Sequence, residues 1–167
     1  MKENNMDLIA DNIYLGNIIS AKDINNLKKE GITKILSVMD NNAPEYKEED
    51  KINQKIIEVA DLPVVNILKY IGDCLNFMEG KDKVLVHCTA GASRSACIVI
   101  AYIMWKDKKK YKDAFNLVVK KRSSVFPNYG FQEQLKKFEK ILEDNEYNIN
   151  KIDFKNIKWK AKSFYGW

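Results

Sequence analysis

Apolar residues along this chain fall into two rhythms. At 13–16, 32–38, 55–60 and 83–86 they form short runs bounded by glycine, asparagine or aspartate. Such runs read as strands, so strands are expected at Ile13–Gly16, Ile32–Val38, Lys55–Ala60 and Lys83–Val86. Elsewhere apolar residues return every third or fourth position. That spacing predicts helices over Ala21–Glu30, Asn66–Met78, Ser95–Trp105, Lys110–Lys121 and Gly130–Glu143. Gly31 is a natural stop for the first of them. Strands alternating with helices, then a helical second half, predict an α/β sandwich around a small, mostly parallel twisted sheet flanked by helices. In such sheets ligands bind beyond the carboxyl ends of the strands.

Composition narrows the setting. At 167 residues, 46% hydrophobic and 31% charged, the chain is expected to be one globular domain. The longest apolar run, Ala96–Trp105, is half of what a membrane span needs, so no stable membrane insertion is expected. The start is polar, without a signal peptide or a Met-Gly acylation site, and the end lacks a prenylation cysteine. Three scattered cysteines (74, 88 and 97) and one histidine make neither a disulfide framework nor a metal set. A reduced, cytoplasmic protein is expected, with the nucleus also open to it. The net charge is +5, of which residues 151–167 hold +4. The near-neutral body has no basic stripe, which argues against nucleic acid. Four acids in 43–51 read as a solvated turn.

The chemistry concentrates in Val84-Leu85-Val86-His87-Cys88-Thr89-Ala90-Gly91-Ala92-Ser93-Arg94-Ser95. A strand runs into a cysteine, a small polar loop and an arginine that opens an apolar helix. A loop entering a helix N-terminus offers unpaired N–H groups and a positive dipole end, which favours an anion and a thiolate. Arg94 supplies a planar fork for two phosphate oxygens. Of 28 basic residues only Arg94 and Arg122 are arginine, so bidentate geometry is suspected at both. His87 and Cys88 are strand neighbours and face opposite ways, and no other histidine exists, which excludes a papain-like pair. His87 is expected to brace the loop through backbone bonds. Cys97 and Cys74 are expected to pack in the core, a reserve disulfide from Cys74 to Cys88 being the minor alternative.

His87-Cys88-x-x-Gly91-x-x-Arg94-Ser95 resembles the signature loop of the cysteine-dependent protein tyrosine phosphatases. Residues 8–143 resemble their dual-specificity branch, in its small, atypical form, through Ile13-Tyr14-Leu15-Gly16-Asn17, Gly31-Ile32-Thr33-Lys34-Ile35-Leu36 and Pro127-Asn128-x-Gly130-Phe131-x-x-Gln134-Leu135. The resemblance implies a protein-tyrosine-phosphatase-like sandwich and metal-independent hydrolysis of phosphoprotein esters, with no cofactor. It implies Cys88 as nucleophile, and Arg94 with the backbone of Thr89, Ala90, Gly91, Ala92 and Ser93 as the phosphate cradle. Asp61, in Ile57-Glu58-Val59-Ala60-Asp61-Leu62-Pro63, matches the general acid by motif; its bland alternative is a helix cap. Ser95 matches the hydroxyl that helps the thiolate depart, and Asn128 a residue whose amide supports the loop. Arg122 matches a contact for a second phosphate or, equally, a salt bridge tying the loop to the body.

Three functions are open to such a chain: a dual-specificity protein phosphatase; a phosphatase for phosphoinositides, RNA 5′-ends or phosphoglucan; and a non-catalytic phospho-binding scaffold. The uncharged loop disfavours the phosphoinositide reading, and the retained cysteine, arginine and aspartate disfavour the scaffold.

The resemblance ends before the tail. Residues 1–148 are read as the catalytic domain and 149–167 as an aromatic, lysine-rich arm. Ile152, Phe154, Ile157, Trp159, Phe164, Tyr165 and Trp167 are too apolar for a disordered linker. Alternating lysines at 158, 160 and 162 suit a half-buried strand or extended arm. Packing on its own domain is favoured, with a homodimer contact or an anionic surface as the alternative.

Overall fold

The computed structural model describes residues 4–162. Among these, five strands form one sheet: Met6–Ala10 (β1), Ile13–Gly16 (β2), Ile32–Met39 (β3), Asn53–Glu58 (β4) and Lys83–His87 (β5). Their order is β1-β2-β5-β3-β4. Only β1 runs antiparallel, so β5 lies at the centre between parallel β2 and β3. The helices are Ile18–Lys22 (α1), Ile24–Glu30 (α2), Leu68–Met78 (α3), Arg94–Lys106 (α4), Tyr111–Lys121 (α5) and Tyr129–Asp144 (α6).

Side-chain alternation divides the core. Ile13, Leu15, Leu36, Val38, Val84 and Val86 face the larger cluster, built with residues of α3 to α6. Tyr14, Ile35 and Leu85, each next to one of these in sequence, face a smaller cluster with Ala21 and Leu27. The sheet is thus covered on both faces, as a mostly parallel sheet must be.

The structure departs from the sequence pattern in two places. The single helix over 21–30 is two helices: Asp23 ends α1, donating its N–H to the Ser20 carbonyl, and caps α2 by accepting from the Asn26 N–H. Asn17 starts α1 earlier than expected by accepting from Ser20 N–H at 3.0 Å. The strand β1 was not foreseen, because it is an edge strand with a single buried residue, Ile9, and shows no alternation to read.

No helix among the described residues is long and apolar enough to cross a membrane. Beyond α6 the chain makes two short 3₁₀ turns, Ile149–Lys151 and Phe154–Asn156, and then runs extended to residue 162. It joins no sheet, although partly buried 157, 159 and 161 alternate with exposed 158, 160 and 162. Phe154 lies over Gly72 of α3, where any Cβ would collide with its ring, and stacks at a tilt on Phe138 of α6. Phe154 thus packs on α3 and α6, while 157, 159 and 161 are partly covered. Phe164, Tyr165 and Trp167 lie outside the described residues.

Candidate active site

β5 delivers its last residue, His87, into the sheet opposite Ser37. The ring is fully buried. Its Nδ1 lies 3.0 Å from the Cys88 carbonyl, which can only accept, so Nδ1 carries the hydrogen and Nε2 accepts from Ser37 Oγ at 2.6 Å. Ser37 Oγ in turn accepts from Gln54 Nε2, which also donates to the Pro44 carbonyl. Burial pushes the His87 pKa down to about 4, so the ring is neutral at physiological pH. Its place is to fix the carbonyl behind the cysteine.

The same treatment extends through the loop. The Thr89 carbonyl accepts from the Ile18 N–H at 3.0 Å, and that of Ala92 from the Phe126 N–H at 2.8 Å. Ala90 and Gly91 carbonyls accept from Nη2 and Nε of Arg122 at 3.3 and 3.0 Å. Five consecutive carbonyls, Cys88 to Ala92, are thus bonded from outside the loop. A loop whose carbonyls all find partners outside it leaves its N–H groups to face inward, the arrangement that cradles an anion. The Gly91 N–H donates to Cys88 Sγ at 3.2 Å. Gly91 has φ +68°, and a Cβ there would overlap the Gly16 carbonyl, so no other residue fits.

Cys88 is buried at the floor of this loop, with Ser95 Oγ 3.0 Å from its sulfur. Amide and hydroxyl together suit a thiolate. Cys74 and Cys97 are free and buried in the core; burial pushes the Cys74 thiol up to about 12 and that of Cys97 higher. Neither is a candidate nucleophile.

Arg94 opens α4 with its guanidinium held on three sides. Nη1 donates to Asp40 Oδ1 at 3.1 Å and to the Val59 carbonyl at 3.2 Å, and Nη2 to Thr89 Oγ1 at 3.2 Å. Nε is buried and bonded to no described protein atom, a costly state for a charged group's donor unless an anion takes it. Asp40 escaped the sequence reading. Its own backbone N–H, and then Arg94, hold its carboxyl below the usual range. An acid at the carboxyl end of β3 was the available signal, but it becomes meaningful only once β3 is known to lie beside β5.

Asp61 stands across from the loop. Its Oδ1 accepts from Ser93 Oγ at 2.7 Å and from Asn128 Nδ2 at 2.8 Å. Asn128 departs from the expected role: its amide reaches Asp61 rather than the loop, and its backbone N–H supports Ser93 Oγ at 2.8 Å. Its Oδ1 meanwhile caps α6 by accepting from the Phe131 N–H. Arg122 does not open to the cleft. Its side chain is 1% exposed and Nη1 pairs with Asp7 at 2.9 Å and the Asn4 carbonyl at 2.7 Å. Every nitrogen is engaged from behind the loop, so of its two roles the geometry carries the structural one.

A buried thiol beneath inward amides, with an arginine fork and a facing aspartate on this sheet, defines the site of the cysteine-dependent phosphatase class. The family model for the dual specificity phosphatase catalytic domain matches residues 13–141, and the chain belongs to that family. It is 45% identical over 139 residues to MAP kinase phosphatase with leucine-rich repeats protein 1 of Dictyostelium discoideum, covering 81% of this chain and 16% of that protein. It is 38% identical over 141 residues to human dual specificity protein phosphatase 22, covering 82% of this chain and 75% of that one. The crystal structure of human tyrosine phosphatase-like serine/threonine/tyrosine-interacting protein superposes with a TM-score of 0.78 at 36% identity, over 83% of this chain and 97% of that one.

Proposed function

We propose that this chain hydrolyses phosphate monoesters on protein phosphotyrosine, phosphoserine and phosphothreonine, without a metal, through a phosphocysteine. The observation that carries this is the Cys88 sulfur lying within 3.2 Å of the Gly91 N–H and 3.0 Å of Ser95 Oγ, beneath a loop whose carbonyls are all drawn outward. In the first step the Cys88 thiolate forms a bond to phosphorus as the bond to the leaving oxygen breaks. Inward N–H groups and the Arg94 fork stabilise the equatorial oxygens as charge builds there. The leaving oxygen takes a proton from Asp61. Since Oδ1 accepts two hydrogen bonds, Oδ2 is the oxygen that carries that proton. In the second step water attacks phosphorus and gives a proton to Asp61, while Ser95 donates to the departing thiolate and inorganic phosphate leaves.

The family, and the names of its relatives, support a phosphoprotein substrate. Thr89 and Ala90 of the loop are exposed and uncharged, which favours a peptide over a phosphoinositide headgroup. A binding-only reading has a relative described as phosphatase-like and interacting, but Cys88, Arg94 and Asp61 are all present and connected here. Three free thiols suit a reducing compartment, cytoplasmic or nuclear.

Cys88→Ser tests the proposal. Turnover of para-nitrophenyl phosphate should vanish while phosphate still raises the melting temperature. Turnover that survives would overturn the thiolate mechanism; loss of phosphate binding as well would show that the site, not the nucleophile, had been destroyed.

A further inference from the structure

The loop that carries Asp61 is held at that carboxylate by Ser93 and Asn128, but its apolar side chains add little. Leu62 and Val64 are among the most exposed large apolar residues of those described, at 52% and 69%. Anchorage comes from elsewhere. At its far end Gln134 of α6, fully buried, accepts from the Ile67 and Leu68 N–H groups and donates to the Val65 carbonyl at 2.9 Å. At its near end the Val59 carbonyl accepts from Arg94. Between these stands Pro63, two residues from Asp61. Proline has no N–H, so its carbonyl is the one backbone group by which this point can be held. That carbonyl accepts from Trp159 Nε1 at 3.0 Å.

Trp159 belongs to the arm, beyond the 13–141 family match. The arm's path makes the contact persistent. Phe154 fixes it against α3 and α6, Asn66 Nδ2 donates to the Ile157 carbonyl at 2.8 Å, and Lys137 Nζ donates to the Lys158 carbonyl at 2.8 Å. Farther on, Tyr129 donates its hydroxyl to the Lys162 carbonyl at 2.8 Å, one residue from the Asn128 that holds Asp61. The arm therefore crosses the acid-bearing loop and, at Lys162, meets the sequence neighbour of the residue that orients the acid.

We propose that Trp159 is a positioning residue for the general acid: by holding Pro63 it sets where Asp61 stands relative to the leaving oxygen. This rests on the assignment of Asp61 as that acid. The arm is then a part of the catalytic apparatus that this chain adds to the family domain. Misplacing a catalytic group by about 1 Å can cost about 100-fold in rate, so one indole bond is enough to matter.

The test compares phenyl phosphate, whose leaving group needs the proton, with para-nitrophenyl phosphate, whose leaving group does not. Trp159→Phe keeps an aromatic ring and removes the N–H. It should lower kcat on phenyl phosphate by about tenfold or more, with KM unchanged and little loss on para-nitrophenyl phosphate. In an Asp61→Asn background the same substitution should add nothing. A chain ending at Lys158, which keeps Phe154 in place, should reproduce the split if Trp159→Phe proves unstable. Equal losses on both substrates, or full activity on both, would overturn the positioning role. If Asp61→Asn alone lost both substrates equally, the acid assignment itself would fall, and a split that persisted without Asp61 would locate the failure there rather than at Trp159.

Discussion

Arg122 Nε donates to the Gly91 carbonyl at 3.0 Å from behind the loop, while Nη1 of the same side chain pairs with Asp7 on β1. One guanidinium thus joins the edge strand to the loop that follows Cys88. A lysine could keep the charge beside Asp7 but could not serve the Ala90 and Gly91 carbonyls in the same geometry. Arg122→Ala should therefore lower stability by about 3–5 kcal/mol, the usual cost of stranding a buried partner. It should weaken singly and doubly phosphorylated peptides alike. Thermal melts and parallel kcat/KM measurements check this; a selective loss on doubly phosphorylated peptides would restore the second-phosphate role.

Arg94→Lys should cost about 100- to 1,000-fold in kcat, because in the proposed mechanism one ammonium replaces a preorganised set of donors to the equatorial oxygens. Asp40→Asn should act in the same direction but more weakly, since Arg94 keeps its bonds to Val59 and Thr89. Its melting temperature should stay close to that of the parent. Steady-state kinetics on an aryl phosphate compare the two variants directly.

His87 is the single histidine, which makes its titration easy to isolate. Its folded pKa of about 4 lies below the unfolded value of about 6.5. Between the two, the unfolded chain binds the proton more readily, so acid favours unfolding. The contribution is whole above the unfolded value, falls as the pH drops through the window and is spent below about 4, a loss of about 3 kcal/mol. Denaturant melts at about pH 7 and about pH 4.5 measure it. In His87→Gln the slope across that window should flatten.

Gly130→Ala should destabilise the protein, although alanine is the better helix former by about 1 kcal/mol. A Cβ at Gly130 would overlap the Pro63 carbonyl oxygen. Helix α6 and the acid-bearing loop would have to separate, and substrates with poor leaving groups should suffer most. A melting temperature at or above the parent's would show that the loop yields without cost.

Much of this was legible in the sequence wherever the information is local. The run from Lys83 into Cys88, and the helical faces of α3, α5 and α6, follow from spacing. The split at Asp23 was also local, yet a cap between two short helices interrupts no apolar rhythm and is easily read through. Asp40, Ser37 and Gln54 belong to another kind. Their roles arise because β3 lies beside β5 and β4 beside β3, an order no stretch of sequence states. Trp159 is the same case at greater distance, 96 residues from the carbonyl it holds. Its alternation with lysines announced an exposed and a covered side without naming what would cover it.

The outward-bonded carbonyls from Cys88 to Ala92 have a consequence for how such a loop changes over generations. Its shape is imposed by His87, Ile18, Arg122 and Phe126, which stand outside it, and not by the side chains at Ala90 and Ala92. Of the two, Ala90 is exposed and free to take on a new group that meets a different substrate while the cradle beneath stays the same. The mould is kept in the frame, and the rim is left open to selection.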